Sequence, residues 1–167
     1  MQIITLNETH QEMVRELFDN TDSHLTFCQT YLSGLENFKA VGIEVDGSIK
    51  GFVSFYTSPI EPSWFLTMIV GEYIHGITDY VINYNEQLGK LKFYSIMESV
   101  RSNFLSKYTD SRYNFIDEFS VPAMKKCIYP VFWEIFFTNG LVDKDTTVTC
   151  YFLKQAYRTS LLSAGNI

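Results

Sequence analysis

The stretch from Trp64 to Met97 constrains the fold more than any other part of the chain. Trp64 to Val70, WFLTMIV, is a near-continuous apolar run of strand length, the pattern of a strand covered on both faces. Ile77, Val81, Tyr84 and Leu88 then recur at i, i+4, i+7 and i+11, which predicts an amphipathic helix over 77–88 closed by Gly89. Leu91 to Met97, LKFYSIM, reads as a strand again. A strand, a helix and a strand in this order predict two adjacent parallel strands joined by the helix.

Upstream, Val41–Val45 and Ile49–Tyr56 flank Asp46-Gly47, the signature of a β-hairpin. Ile60-Glu61-Pro62 interrupts before the next strand, because proline cannot donate to a ladder. Gln2–Leu6 is a short strand candidate. Thr9-His10-Gln11-Glu12 has the form of a capping box, with Met13, Val14, Leu17 and Phe18 at helical spacing behind it. A second helix is predicted from about Ser23 to Leu35, with Leu25, Cys28, Leu32 and Leu35 on one face. Val100, Phe104, Leu105 and Tyr108 suggest a further helix, and PVFWEIFFTNG, residues 130 to 140, a short one ending at Gly140. YNFIDEFSV from Tyr113 and TTVTCYFL at 146–153 are β-like. The fold class is α/β: a mixed central sheet flanked by helices, expected as one domain over residues 1–167.

Composition narrows the function classes. Hydrophobic residues make up 46% and charged ones 19%, as in a globular chain. A formal charge of -6 argues against nucleic acid as a partner and leaves a cationic or neutral acceptor open. Cys28, Cys127 and Cys150 form no C-x-x-C pair and signal neither a zinc site nor a disulfide framework. No run approaches the roughly 18 apolar residues of a membrane span, and Met1–Asn7 lacks the features of a signal peptide. The expectation is a cytoplasmic protein without a membrane or metal partner.

The order of elements, with IEVDGSIKGFVSFY at 43–56 as its second and third strands, resembles the GNAT superfamily of N-acetyltransferases. The resemblance covers residues 1 to about 125 and implies an acyl-CoA N-acyltransferase-like fold. It also implies transfer of an acyl group from acetyl-CoA or another acyl-CoA to an amine or peptide acceptor. The family binds the cofactor's pyrophosphate with a Q/R-x-x-G-x-G/A loop, whose backbone N–H groups open a helix. YIHGITDYVI, residues 73–82, matches that loop in spacing: Gly76 stands at the first glycine and Ile77 at the following aliphatic. Tyr73 replaces the Gln/Arg, Thr78 replaces the second small residue, and Asp79 adds an unfavourable charge. The implied cofactor-binding residues are His75, Gly76, Ile77 and Thr78, with Met68, Ile69 and Val70 holding the pantetheine arm through backbone hydrogen bonds. Read without a ligand, Thr78 is a good N-cap, Asp79 suits the first turn of a helix, and Gly71 and Gly76 let the chain turn.

For chemistry, NFLSKYTDSRYNF resembles the family's segment with a tyrosine that protonates the departing thiolate, which puts Tyr108 in that role. The Gly-Phe that usually follows is missing, and Tyr108 reads equally as a half-buried aromatic. The fourth strand offers only Thr67 where the family places its base; Glu98 and, after it, Glu118 are the positional substitutes, with His24 and His75 as neutral-pH candidates. The rival is a catalytically inactive binding or assembly module of the same fold. Phe132, Trp133, Phe136 and Phe137 fall within six residues, which reads either as a plug for an open end of the core or as a partner surface, and the expectation is a homodimer contact.

Overall fold

The computed structural model describes residues 1–95, 111–120 and 147–154, and the architecture is stated for these. Seven strands form one mixed sheet: β1 (Gln2–Thr5), β2 (Phe38–Val45), β3 (Ser48–Thr57), β4 (Ser63–Gly71), β5 (Lys92–Ser95), β6 (Tyr113–Ser120) and β7 (Thr147–Leu153). Their order across the sheet is β1-β2-β3-β4-β5-β7-β6. Only β4 and β5 pair in parallel, from Ser63↔Lys92 to Leu66↔Ser95, and helix α2 (Ile74–Gln87) joins them as the periodicity predicts. Helix α1 (Thr21–Tyr31) packs on the opposite face of the sheet.

The alternation of side chains builds two cores. Phe52, Tyr56 and Phe65 meet Phe27, Tyr31 and Leu32 of the α1 side, whereas Val53, Phe55, Trp64 and Leu66 meet Ile77, Val81 and Ile82 of α2. The hairpin turn is of the expected kind. Asp46 (φ 52) and Gly47 (φ 79) both occupy the left-handed region, as a two-residue turn matching the strand twist requires.

Several boundaries differ from the sequence expectation. The capping box belongs to Asn7 rather than Thr9: Asn7 Oδ1 accepts from Thr9 N at 2.9 Å, and His10 Nδ1 accepts from Asn7 N at 3.0 Å. The segment behind it runs as two 3-10 pieces, Glu8–His10 and Glu12–Leu17. Asn competes for nearby backbone donors more readily than Thr, and this moves the start upstream. Helix α1 begins at Thr21 because Asn20 Oδ1 accepts from Ser23 N at 2.8 Å. It ends before Leu35, and Leu25 and Leu35 are exposed while Phe27 and Tyr31 join Cys28 and Leu32 inside. Helix α2 starts at Ile74, three residues earlier than the apolar stripe indicates. Thr78 is therefore an interior position rather than an N-cap, and Asp79 lies beyond the first turn.

Far from the β4 end of the sheet, α2 is tied to β6. Glu86, buried on α2, accepts hydrogen bonds from Arg112 Nη2 and from Tyr113 OH, the latter at 2.7 Å. Burial and the neighbouring Glu86 carboxylate push the Tyr113 phenol far above its ordinary range.

Candidate functional site

The site is built where β4 ends and α2 begins. Gly71 (φ 89) and Tyr73 (φ 61) turn the chain through left-handed conformations. Glu72 N donates to Lys50 O at 2.9 Å, pinning the turn to β3. Only a residue without a Cβ fits this approach. A Cβ on Gly51 would overlap the Glu72 carbonyl, and one on Gly71 would lie 2.7 Å from Gly51 Cα. The helix that follows has first-turn N–H groups with no carbonyl one turn earlier inside it. Ile77 N is the one that reaches back, to Tyr73 O at 3.5 Å.

His75 and Gly76 stand exposed on that first turn, and a Cβ on Gly76 would meet nothing within 4 Å. The open space lies over the N-terminus of a 14-residue helix, where backbone donors and the helix dipole favour an anion. The backbone therefore fits a diphosphate, while the exposed Glu72 carboxylate beside it opposes one. Ile77 and Thr78 do not belong to this surface. Both are fully buried, Ile77 in the α2-side core as the first residue of the apolar stripe. Thr78 Oγ1 has no hydrogen-bond partner among the described residues.

Met68, Ile69 and Val70 lie on β4 as predicted. Ile69 is buried against α2, while Met68 and Val70 are half-buried on the α1 side. The described pairing to β5 runs from Ser63↔Lys92 to Leu66↔Ser95, where the described part of that strand ends. On the other edge, Ser54 pairs with Met68 and Phe55 with Leu66, which leaves Thr67 as the extra residue of a β-bulge. Thr67 Oγ1 accepts a hydrogen bond from Tyr31 OH at 2.8 Å and shares another with Ser54 Oγ at 2.8 Å. All three residues are buried. Desolvation pushes the Tyr31 phenol well above its usual range, with the Thr67 and Ser54 hydroxyls pulling weakly the other way.

Sequence reasoning rejects Thr67 as a base and passes over Tyr31 and Ser54. The available signal was a single hydroxyl inside WFLTMIV, since a buried hydroxyl needs a partner. Tyr108 and Glu98 lie outside the described residues, as does the 130–140 segment. Glu118 is on β6, at the far edge of the sheet from β4. His24 is occupied structurally. Its Nε2 lies 2.7 Å from the Gln11 carbonyl, to which it must donate, and so cannot also accept from Cys28 Sγ at 3.5 Å. Burial, and after it the Glu12 charge, hold the Cys28 thiol above its ordinary range.

A groove of about 480 Å³ opens beside the turn, lined by Glu12, Glu16, Lys50 and Glu72 among others. No cluster of His, Cys, Asp and Glu able to hold a metal occurs among the described residues. None of their helices is long and apolar enough to cross a membrane.

Neither a protein-family model nor a curated sequence matches the chain. Solved structures do match its fold. The ribosomal-protein-S18-alanine N-acetyltransferase from Escherichia coli is 12% identical with a TM-score of 0.58, over 90% of each chain. A GNAT-family acetyltransferase from Staphylococcus aureus Mu50 is 14% identical with a TM-score of 0.60, over 92% of this chain and 99% of that one. The PaiA N-acetyltransferase from Thermoplasma acidophilum, solved with coenzyme A, is 12% identical with a TM-score of 0.50, over 90% of this chain and 98% of that one.

Proposed function

Because the chain has the GNAT acetyltransferase fold in a divergent sequence, we propose that it is an acyl-coenzyme A-dependent N-acyltransferase acting on an amine. The observation that carries this reading is the bulged β4 running, through the left-handed turn at Gly71 and Tyr73, into an exposed helix N-terminus over open space at Gly76. A bound acyl-coenzyme A supplies an activated thioester carbonyl. The protein's part is orientation. First-turn N–H groups of α2 would receive the diphosphate, and β4 over Met68–Val70 would pair with the pantetheine arm in strand fashion. A main-chain N–H of the same strand would polarise the acyl carbonyl. Glu12, Glu16 and Glu72 around the groove suit a cationic acceptor better than an anionic one. Tyr108 as the acid and Glu98 as the base complete the reading, in a cytoplasmic setting.

Millimolar coenzyme A should raise the unfolding temperature by linkage, and Gly76→Asp should abolish the rise by placing a carboxylate in the open space. Glu72 favours a second reading, an inactive binding module, since its charge opposes a diphosphate. A parent protein whose melting is unmoved by coenzyme A would overturn the acyl-transfer reading in favour of the second.

A further inference from the structure

The buried hydroxyls of Tyr31, Ser54 and Thr67 occupy a position that stability alone does not require. They sit on a sheet face made of Phe52, Tyr56 and Phe65, where an apolar set of the same shape would pack as well. Replacing both partners of a buried hydrogen bond by apolar groups is often close to neutral. What the cluster does uniquely is hold Thr67, the residue inside the β3–β4 register that has no counterpart on β3. An inserted residue is released from the ladder, and its main chain is free to rotate unless its side chain is anchored. Here Thr67 Oγ1 is gripped from two directions, by the last turn of α1 through Tyr31 and by β3 through Ser54. The bulge also shifts the phase of the strand, so Thr67 and Met68 face the α1 side in succession and Ile69 returns to α2.

We propose that the Tyr31–Thr67–Ser54 hydroxyl cluster is a positioning device that aims the main-chain N–H at the Thr67–Met68 bulge toward the acyl carbonyl. The inference rests on the acyl-transfer reading and goes beyond it in naming what fixes the strand at the reacting centre. None of the three side chains needs to touch the substrate. Each acts through the backbone of Thr67, which lies four residues before Gly71, where β4 ends and the turn into α2 begins.

The test uses acetyl-coenzyme A labelled with ¹³C at the carbonyl, followed by isotope-edited infrared spectroscopy, with coenzyme A affinity measured by calorimetry. In the parent, the bound carbonyl band should move to lower frequency than in free acetyl-coenzyme A. Thr67→Val and Tyr31→Phe should lose most of that displacement while coenzyme A affinity stays within about twofold, because only carbonyl alignment is disturbed. Thr67→Ser, which keeps the hydroxyl, should restore it. Slow hydrolysis of acetyl-coenzyme A should fall at least about tenfold in the first two variants, a fraction of what losing an oxyanion donor costs. Variants that bind coenzyme A normally and keep the full band displacement would overturn the proposal. So would a parent that binds acetyl-coenzyme A without any displacement. If Thr67→Val fails to fold, Tyr31→Phe and Ser54→Ala carry the same comparison. Failure of the acyl-transfer reading is distinct, since the parent would then not bind coenzyme A at all, and the positioning role would fall with it.

Discussion

At Gly51 and Gly71 two strands approach so closely that neither residue can carry a Cβ, and Gly71 additionally sits at φ 89. Gly71→Ala or Gly51→Ala must push β3 and β4 apart at the turn that launches α2, and each should destabilise by at least about 2–3 kcal/mol. Gly76 behaves oppositely. Its surroundings are open and its backbone is helical, so Gly76→Ala should stabilise the ligand-free protein by about 0.5–1 kcal/mol. Urea midpoints of the three variants check both signs. From sequence Gly71 and Gly76 look alike, as residues that let the chain turn. Their difference lies in what stands opposite, which no local pattern carries. The same holds for Thr67: its partners Tyr31 and Ser54 are 36 and 13 residues away. A base was sought on the fourth strand by analogy, and the hydroxyl found there has a different setting.

Elements were more legible than residues, because periodicity reports burial directly. The apolar run of β4, the stripe of α2 and the Asp46-Gly47 turn all stand where the pattern puts them. Helix starts were misplaced because caps compete: Asn7 and Asn20 take donors that Thr9 and Ser23 appeared to define. In α2 a left-handed Tyr73 begins the helix without any side-chain cap, so the start carries no residue signature. The packing of elements also sets the response to alkali. Tyr31 at the end of α1 and Tyr113 at the start of β6 both have phenol pKa values raised by burial. Unfolded phenols ionise near about 10, while the folded ones hold their protons well above that. The native state thus binds more protons in that range, so this stabilisation is complete below about pH 10 and is lost as pH rises further. The loss should approach about 1.4 kcal/mol per pH unit for each phenol. Tyr113→Phe should cost about 1 kcal/mol at pH 8 through the lost bond to Glu86, yet show a shallower decline above pH 10. Urea denaturation at a series of pH values gives both quantities, and equal slopes in parent and variant would contradict the assignment.

On the scale of the whole molecule, both ends of the described chain enter shared cores: Leu6 joins Cys150 on the α1 side, and Ile3 joins Leu153 on the α2 side. A sheet continuous from β1 to β6 gives no seam along which half of it could open alone, which favours one cooperative unit. Among the described residues β1 and β6 are the outer strands of the sheet, and β6 is the one at risk, since it exposes Phe115 and Ile116. It is blunted in two ways. Ile116 is the extra residue of a bulge between Phe115↔Tyr151 and Asp117↔Cys150, and Asp117-Glu118 follow it in sequence. A bulged, acidic edge resists the addition of a second copy by strand pairing. We propose that self-association instead uses the aromatic segment around Trp133, where Phe132, Phe136 and Phe137 crowd within six residues. Aromatic clusters of this kind, tryptophan above all, dominate interface energetics, and two-fold pairing is the commonest closed arrangement. Sedimentation velocity at micromolar concentration should then show a dimer. Phe115→Glu, on the blunted edge, should leave the dimer intact, whereas Trp133→Glu in a still-folded protein should convert it to monomer. A monomeric parent would refute the dimer, and a dimer lost through Phe115→Glu but kept in Trp133→Glu would move the interface to the β6 edge.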